Sequence, residues 1–414
     1  MSYIDAFLER DKDRINVVER VEGKRHFKTY PTRYIFYYPD PSGEYKSIYG
    51  NRLSRFSTKF VKEFDKEKRI YSHQRLYESD INPIFRCLED NYAEIPSPDL
   101  HICFFDIEVD FDPDKGFAPP HDPFNKVTAI TVHLNWLPED RQLITLCLKP
   151  KGLEQSQAEE IAGKFNNTVL CNDERELLDM FLKFIDDADV LSGWNSEGFD
   201  IPYVVNRITQ VLGREHTKRF CLWDKFPRKR KYVKYGNEQE TFDLIGRVHL
   251  DYLELYRKYT YHEMHSYRLD AIGEYEVGEN KVPYEGTLDA LYNNDFEKFI
   301  AYSRQDTALL AKLDDKLKFI DLASELAHAN TVLLPTTMGA VAVTEQAIIN
   351  EAHKRGMAIP DRKRQRDDVV NVPAVGAYVA FPKKGLHSWI GSLDINSLYP
   401  SVIRSLNMGP ETII

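Results

Sequence analysis

Asp106 and Glu108 lie two residues apart in the run Phe104-Phe105-Asp106-Ile107-Glu108-Val109. Side chains along a strand alternate between faces, so both carboxylates point one way while Phe105, Ile107 and Val109 point the other. Ile102 and Phe104 share the acidic face and Cys103 takes the opposite one, which describes a strand buried on both sides that turns acidic near its end. Adjacent buried carboxylates repel, and the usual relief is a raised pKa or a bound cation. Hard oxygen donors favour Mg²⁺ or Mn²⁺ over zinc. Two further carboxylates fall at sheltered places. Asp200 stands at a helix start, where a plain N-cap is the simplest role. Asp306 falls on the stripe Phe299, Ser303, Asp306, Leu310, Leu313 and Leu317 of a long helix, where an unpaired carboxylate is costly. Tyr302 precedes it by one turn, so its hydroxyl can reach the same pocket.

The elements that must position these groups are legible from alternation and turn signals. A strand over 101-109 is followed by strands over 127-136 and 142-148, joined by links short enough for antiparallel neighbours. A helix over 173-187 leads to a strand over 189-192 and then to Gly193-Trp194-Asn195-Ser196-Glu197-Gly198-Phe199-Asp200-Ile201-Pro202. Gly193 and Gly198 permit a tight strand-to-helix junction, and Pro202 is tolerated in a first helical turn. Arg228-Lys229-Arg230-Lys231 and Tyr235-Glu240 read as an exposed hairpin, either solvated or against a DNA strand. Helical patterns follow over 249-259, 287-293, 295-319 and 325-355. The loop with Asp110, Asp112, Asp114 and Gly116 is not a calcium loop, because its glycine comes one residue late and His121 holds the twelfth position. A strand pair, a helix start and an inward-facing helix residue with tyrosine a turn away form the layout of a two-metal nuclease. Paired cations there clamp a scissile phosphate, one activating water and the other stabilising the leaving 3′ oxygen.

Composition sets the bounds. The 414 residues suffice for two or three domains, and 42% hydrophobic with 29% charged residues is ordinary for a globular chain, rich in aromatics through 24 Tyr and 23 Phe. No apolar run approaches membrane-spanning length and the charged start is no signal peptide, so no membrane is expected. Five scattered cysteines suggest neither a disulfide framework nor a zinc site. A net charge of −10 does not advertise a nucleic-acid binder but leaves room for local basic patches. Residues 1–100 alternate strand-like runs with turns and describe a small β-rich module closed by helices. Its interleaved Lys24, Arg25, Phe27, Lys28, Tyr30, Arg33, Tyr34, Phe36 and Tyr37 fit a charged outer sheet face, or rings and cations that meet bases and phosphates.

Asp106-x-Glu108, Asn195-x₃-Phe199-Asp200 and Tyr302-x₃-Asp306 resemble the three exonuclease motifs of family B DNA polymerases, in the tyrosine branch of the Asp-Glu-Asp-Asp nucleases. The histidine branch would place His five residues before the last Asp, where Ala301 stands. Tyr30-Pro31-Thr32-Arg33-Tyr34, Tyr37-Tyr38-Pro39-Asp40-Pro41 and Asn407-Met408-Gly409-Pro410-Glu411-Thr412-Ile413 resemble polymerases of tailed, myovirus-type bacteriophages. Ser392-Leu393-Asp394-Ile395-Asn396-Ser397-Leu398-Tyr399-Pro400-Ser401 resembles their first palm motif.

The resemblance implies an α/β, multidomain chain. Residues 1-98 rejoined by 320-365 would form a discontinuous β-rich domain, 99-319 a ribonuclease H-like 3′→5′ proofreading exonuclease, and 366-414 the beginning of a palm. It implies two Mg²⁺ or Mn²⁺ ions, with Asp106 bridging both, Glu108 and Asp306 holding the water-activating one and Asp200 supporting the other. Tyr302 would orient the attacking water, and Asn195 and Phe199 would meet the frayed primer end. Asp394 would be a polymerase metal ligand, Leu398 would shape the nucleotide pocket and Tyr399 would lie beneath the incoming sugar. Implied partners are single-stranded and primer-template DNA, a C-terminal polymerase chain or remainder, RNA through the first domain, and a sliding clamp through the missing C-terminal part. The implied location is the cytoplasm of a bacterial host. No Asp-Thr-Asp element or lysine-bearing fingers helix follows Asp394, so a cut chain or one subunit of a two-piece polymerase is expected. The basic run 360-366 reads as a connector. The alternatives are a stand-alone 3′→5′ exonuclease and an RNA-binding translational repressor module.

Overall fold

The strand that carries the paired acids, Ile102–Val109, is an inner strand of a six-stranded mixed sheet in the computed structural model. Across the sheet the order is Thr168–Cys171, Leu143–Leu148, Val127–Leu134, Ile102–Val109, Val190–Gly193 and Val248–Asp251. The three strands from Leu143–Leu148 to Ile102–Val109 form an antiparallel meander, the arrangement expected from the sequence. Val190–Gly193 lies parallel to the acidic strand on its other side, and Val248–Asp251 parallel to that. The register sets Asp106 opposite Thr131 and Glu108 opposite Ala129. The expected mixed α/β architecture is therefore what the chain adopts.

The structure describes residues 2–234, 236–362, 376–409 and 412. They fall into two compact units, Met1–Thr32 with Asn82–Ile348, and Arg33–Ile81 with Ile349–Ile414. The first unit holds the six-stranded sheet and an antiparallel sheet of Ser2–Glu9, Arg14–Val21 and Lys24–Pro31. One face of the larger sheet packs Phe105, Ile107, Val132 and Leu146 against Leu178, Phe181, Val204 and Ile208. On the other, Ile102 and Phe104 join Leu250, Tyr252, Leu310 and Leu313. The expectation of a strand buried on both faces holds.

The second unit contains a four-stranded sheet ordered Met357–Ala358, Tyr45–Ser47, Arg52–Thr58, Tyr34–Pro39. Tyr34 and Phe36 pack there against Phe64 and Leu76. The β-rich character expected of the first hundred residues is present, shared between the two units. Residues 376–397 contain no regular strand, and Leu398–Ser405 is a helix.

Of two expected long helices, one forms nearly as expected and the other is divided. The one over 295-319 runs Phe296–Leu317 and stops where Lys318 turns left-handed with φ 55°, before a new helix, Phe319–Ala329. The one over 325-355 is interrupted by a 3₁₀ segment, Leu334–Met338, before Ala340–Lys354. Pro335 and Gly339 stand at that break, as their backbone properties favour. Residues 363–366 of the basic run 360-366, Tyr235 of the hairpin, and Pro410, Glu411 and Ile413 of the phage-like end lie outside the described residues.

Candidate active site

Three of the four sheltered carboxylates converge. Ligand atoms of Asp106, Glu108 and Asp306 all lie within 4.8 Å of one another. The strand alternation delivers the first two, and the helix Phe296–Leu317 delivers the third. That helix is capped by the Asp295 carboxylate, which accepts from Lys298 N–H at 3.0 Å. It approaches the sheet through small polar side chains. Ser303 Oγ is 2.8 Å from Thr131 Oγ1, which is 3.1 Å from Thr145 Oγ1, and Thr307 Oγ1–H donates to the Thr131 carbonyl at 3.4 Å. A buried hydroxyl chain thus fixes the helix rotation that turns Tyr302 and Asp306 toward the acidic strand.

Asp200 is the first residue of the helix Asp200–Val211, not its N-cap, which is Phe199. Its carboxylate is buried and accepts from the Ile107 N–H at 3.3 Å, so it lies against the acidic strand. Asp200 is outside the close three-acid group, yet the Asp106 charge is felt at its carboxyl. The tight junction before it is also real. A Cβ on Gly193 would meet the Phe105 carbonyl at 2.8 Å and Ser196 Cβ at 2.9 Å, so no larger residue fits there.

Burial, followed by neighbouring negative charge, raises all four carboxyls. Asp106 keeps an open edge, but desolvation and then the Asp306 charge push it up to about 7, with Lys281 opposing. Burial and the charges of Asp106 and Asp306 hold Glu108 well above the carboxylate range. Burial and Asp106 do the same to Asp200. Asp306 is raised by burial, while the Lys281 charge and hydrogen bonds from Lys281 and Tyr302 work against the shift. Glu108 Oε1 and Asp306 Oδ1 are buried and accept no hydrogen bond. Orphaned anionic oxygens pointing at a shared space are what a hard divalent cation satisfies, so this donor set fits a metal centre.

Lys281 is the residue of this site that sequence patterning misses. Its ammonium pairs with Asp306 Oδ2 and donates to Tyr302 Oη at 3.2 Å. Burial opposes the ammonium, but the charges of Asp306 and Asp106 outweigh that and raise its pKa. No periodicity marks a lone lysine in a loop. Tyr302 is buried, its ring edge-on to Tyr284 at 5.2 Å, and burial with the nearby carboxylates raises its phenol.

Asp106, Tyr302, Lys281 and Asn195 line one cleft of about 850 Å³, with Trp194 and Tyr267. Phe199 is half-buried with its ring 5.3 Å from that of Tyr203. Asn195 adopts φ 61°, a left-handed conformation, and its loop is held by a second residue that patterning passed over. Asp251, at the end of the edge strand, accepts from Asn195 N–H and Leu253 N–H through Oδ1 and from Glu197 N–H through Oδ2, each at 3.0 Å. In sequence it falls inside the helical pattern over 249-259, which gives no sign of this contact; in the structure it ends the strand Val248–Asp251 and caps the helix Tyr252–Tyr259. Asp251→Ala leaves three donors without this acceptor and is expected to destabilise the protein by about 2–3 kcal/mol, read by urea unfolding. Asp251→Asn, which keeps one acceptor oxygen, should cost less; equal losses would mean that the loop bonds contribute little.

The hairpin expected over 228-240 is present as Arg228–Lys234 and Asn237–Asp243. Its basic run is largely neutralised from the facing strand, Lys229 by Glu240 at 2.6 Å and Lys231 by Glu238 at 2.9 Å. Arg230 bonds both Asp243 and Glu197. In the second unit Asp394, Leu398 and Tyr399 are all exposed, Tyr399 at 76%. All five cysteines are free and buried.

Residues 52–272 match the family description "DNA polymerase family B, exonuclease domain", more than half of the chain. The chain belongs to the family B DNA polymerases. Residues 333–414 match the description "DNA polymerase family B" itself. The chain is 30% identical to a DNA-directed DNA polymerase of Escherichia phage RB69 over 336 residues, 76% of this chain and 36% of that protein. It is 27% identical to that of Enterobacteria phage T4 over 425 residues, 96% of this chain and 46% of that protein. A DNA polymerase delta catalytic subunit of Drosophila melanogaster shares 29% identity over 62% of this chain and 24% of its own length. The chain thus spans less than half the length of the relatives it matches. The family expected from the motifs and the likeness to phage polymerases are both borne out, and no helix of the described residues is long and apolar enough to cross a membrane.

Proposed function

We propose that the chain is the N-terminal part of a replicative DNA polymerase whose 3′→5′ exonuclease removes mismatched nucleotides from a primer end. The observation that carries this reading is the convergence of Asp106, Glu108 and Asp306 with two buried, unpartnered carboxylate oxygens beside Tyr302. Asp106, Glu108, Asp306 and Asp200 would hold two Mg²⁺ or Mn²⁺ ions, which supply an activated water and charge stabilisation for the departing 3′ oxygen. Lys281 donates to the Tyr302 oxygen and the phenol hydrogen-bonds the Asp306 carboxylate, which holds the hydroxyl beside the acids, where it would orient an incoming water. Asn195 and Phe199 stand on the loop and helix start where the frayed end would lie.

In this reading the exonuclease spans 99-319, the N-terminal domain 1-98 with 320-365, and the palm begins at 366. Single-stranded and primer-template DNA are the substrates and the host cytoplasm the setting, and a clamp would be met only through C-terminal parts. Tyr34 and Phe36, two rings of the aromatic and basic stretch, are buried, which weighs against an RNA-stacking surface built from the whole of it.

The test is release of mononucleotides from a single-stranded 3′ end with Mg²⁺, compared with Tyr302→Phe. Loss of the hydroxyl should slow hydrolysis about 10- to 1000-fold while metal and DNA binding persist. An unchanged rate would make Tyr302 a packing residue.

A further inference from the structure

We infer that Arg268 grips a backbone phosphate of the single strand entering the cleft, a substrate-positioning role that rests on the exonuclease reading above. Two cations line that cleft among the described residues, Lys281 and Arg268. Lys281 is committed to Asp306 and Tyr302. Arg268 is exposed, and its guanidinium has no ion pair or hydrogen bond among the described residues. Asp270, the nearest acid in sequence, turns instead to the Ala271 N–H at 2.8 Å.

The backbone under Arg268 is fixed although the side chain is free. The Tyr267 carbonyl accepts from the Trp194 indole N–H at 3.1 Å, which ties this segment to the Asn195 loop. The Arg268 carbonyl accepts from Ile272 N–H at 3.1 Å, and Leu269 is buried in the core. A DNA strand brings one negative charge per nucleotide to a cleft already lined by Asp106 and Asp270, so repulsion must be offset at its wall. A rooted, unpaired guanidinium meets that need, and its planar fork matches two phosphate oxygens. The bland alternative, a solvated surface arginine, predicts no dependence of binding on this residue.

The experiment uses the full chain and a short, labelled single-stranded oligodeoxynucleotide, with binding followed by anisotropy in Ca²⁺ and cleavage in Mg²⁺, between about 50 and 200 mM salt. Arg268→Ala should weaken binding and raise KM about 5- to 10-fold with kcat within about twofold. It should also lower the salt slope of log affinity by about 0.7, as expected when one phosphate fewer of a single strand is neutralised. Arg268→Lys, which keeps the charge, should recover most of the slope. Wild-type KM and slope in Arg268→Ala would overturn the inference, and so would a fall in kcat at constant KM. If the wild-type chain binds but releases no nucleotide, the exonuclease reading fails, and the binding slope alone still decides for or against Arg268.

Discussion

Replacing Asp106 and Glu108 together by Ala is expected to abolish metal-dependent release of mononucleotides from a single-stranded 3′ end, by at least about 1000-fold. The two residues supply two of the three acids whose oxygens lie within 4.8 Å of one another, leaving Asp306, already paired with Lys281, and Asp200, which lies outside that group, to hold a cation. The same change should not unfold the protein. Asp106 has a folded pKa of about 7, raised by burial and by Asp306, against an ordinary value of about 4. Below pH about 4 the group is protonated in both folded and unfolded chains and its burial is not penalised electrostatically. As pH rises from about 4 to about 7 the unfolded chain loses the proton first, so stability falls across that window and stays reduced above it. Glu108 is shifted in the same direction by burial and the charges of Asp106 and Asp306. Without metal and near neutral pH, the double variant should therefore melt no lower than wild type, and higher by about 2–4 °C where relief of repulsion exceeds the loss of packing. Thermal melting in chelator and the nuclease assay check both halves. Wild-type cleavage in a clean preparation would rule out the site, and a large drop in melting temperature would show that the acids are structural.

The half of this site that reads directly from the sequence is the half set by local periodicity. Period-two alternation placed Asp106 and Glu108 on one face, and the helical stripe put Asp306 inward with Tyr302 a turn before it. The rest depends on partners far away in the chain. Lys281 becomes part of the site only when a loop folds over the Phe296–Leu317 helix, and nothing in its neighbours announces that. Asp251 lies inside the helical pattern over 249-259, and its bonds to Asn195 and Glu197 join residues more than fifty apart. Asp200 shows the opposite case, where the local rule pointed to an N-cap and the tertiary contact with Ile107 prevailed. The fold shows the same division. The antiparallel meander was expected from alternation and order, whereas the helix break around Pro335 turned on backbone conformations inside a continuous helical pattern.

By itself this chain is expected to show exonuclease activity and no primer extension with deoxynucleoside triphosphates. Added to a polypeptide supplying the rest of the palm, the fingers and the thumb, it should extend a primer. Residues 333–414 match the polymerase family, while the phage relatives are more than twice as long as the stretch they share with this chain. Asp394 is the sole acid between 376 and 409, and two-metal nucleotidyl transfer needs at least two carboxylates at the primer terminus. Phe381, Leu386, Trp389 and Leu393 are almost fully exposed, an apolar surface of the kind that a palm would bury. A joint between two parts of one domain core is large and apolar, above about 2,000 Å², so the two polypeptides are expected to co-purify as a stable one-to-one complex. Covering those side chains should also raise the melting temperature of the mixture above that of this chain alone. Primer extension is measured with this chain, with the matching C-terminal polypeptide, and with both. Extension by this chain alone would sink the idea, as would failure of the two to associate at micromolar concentration.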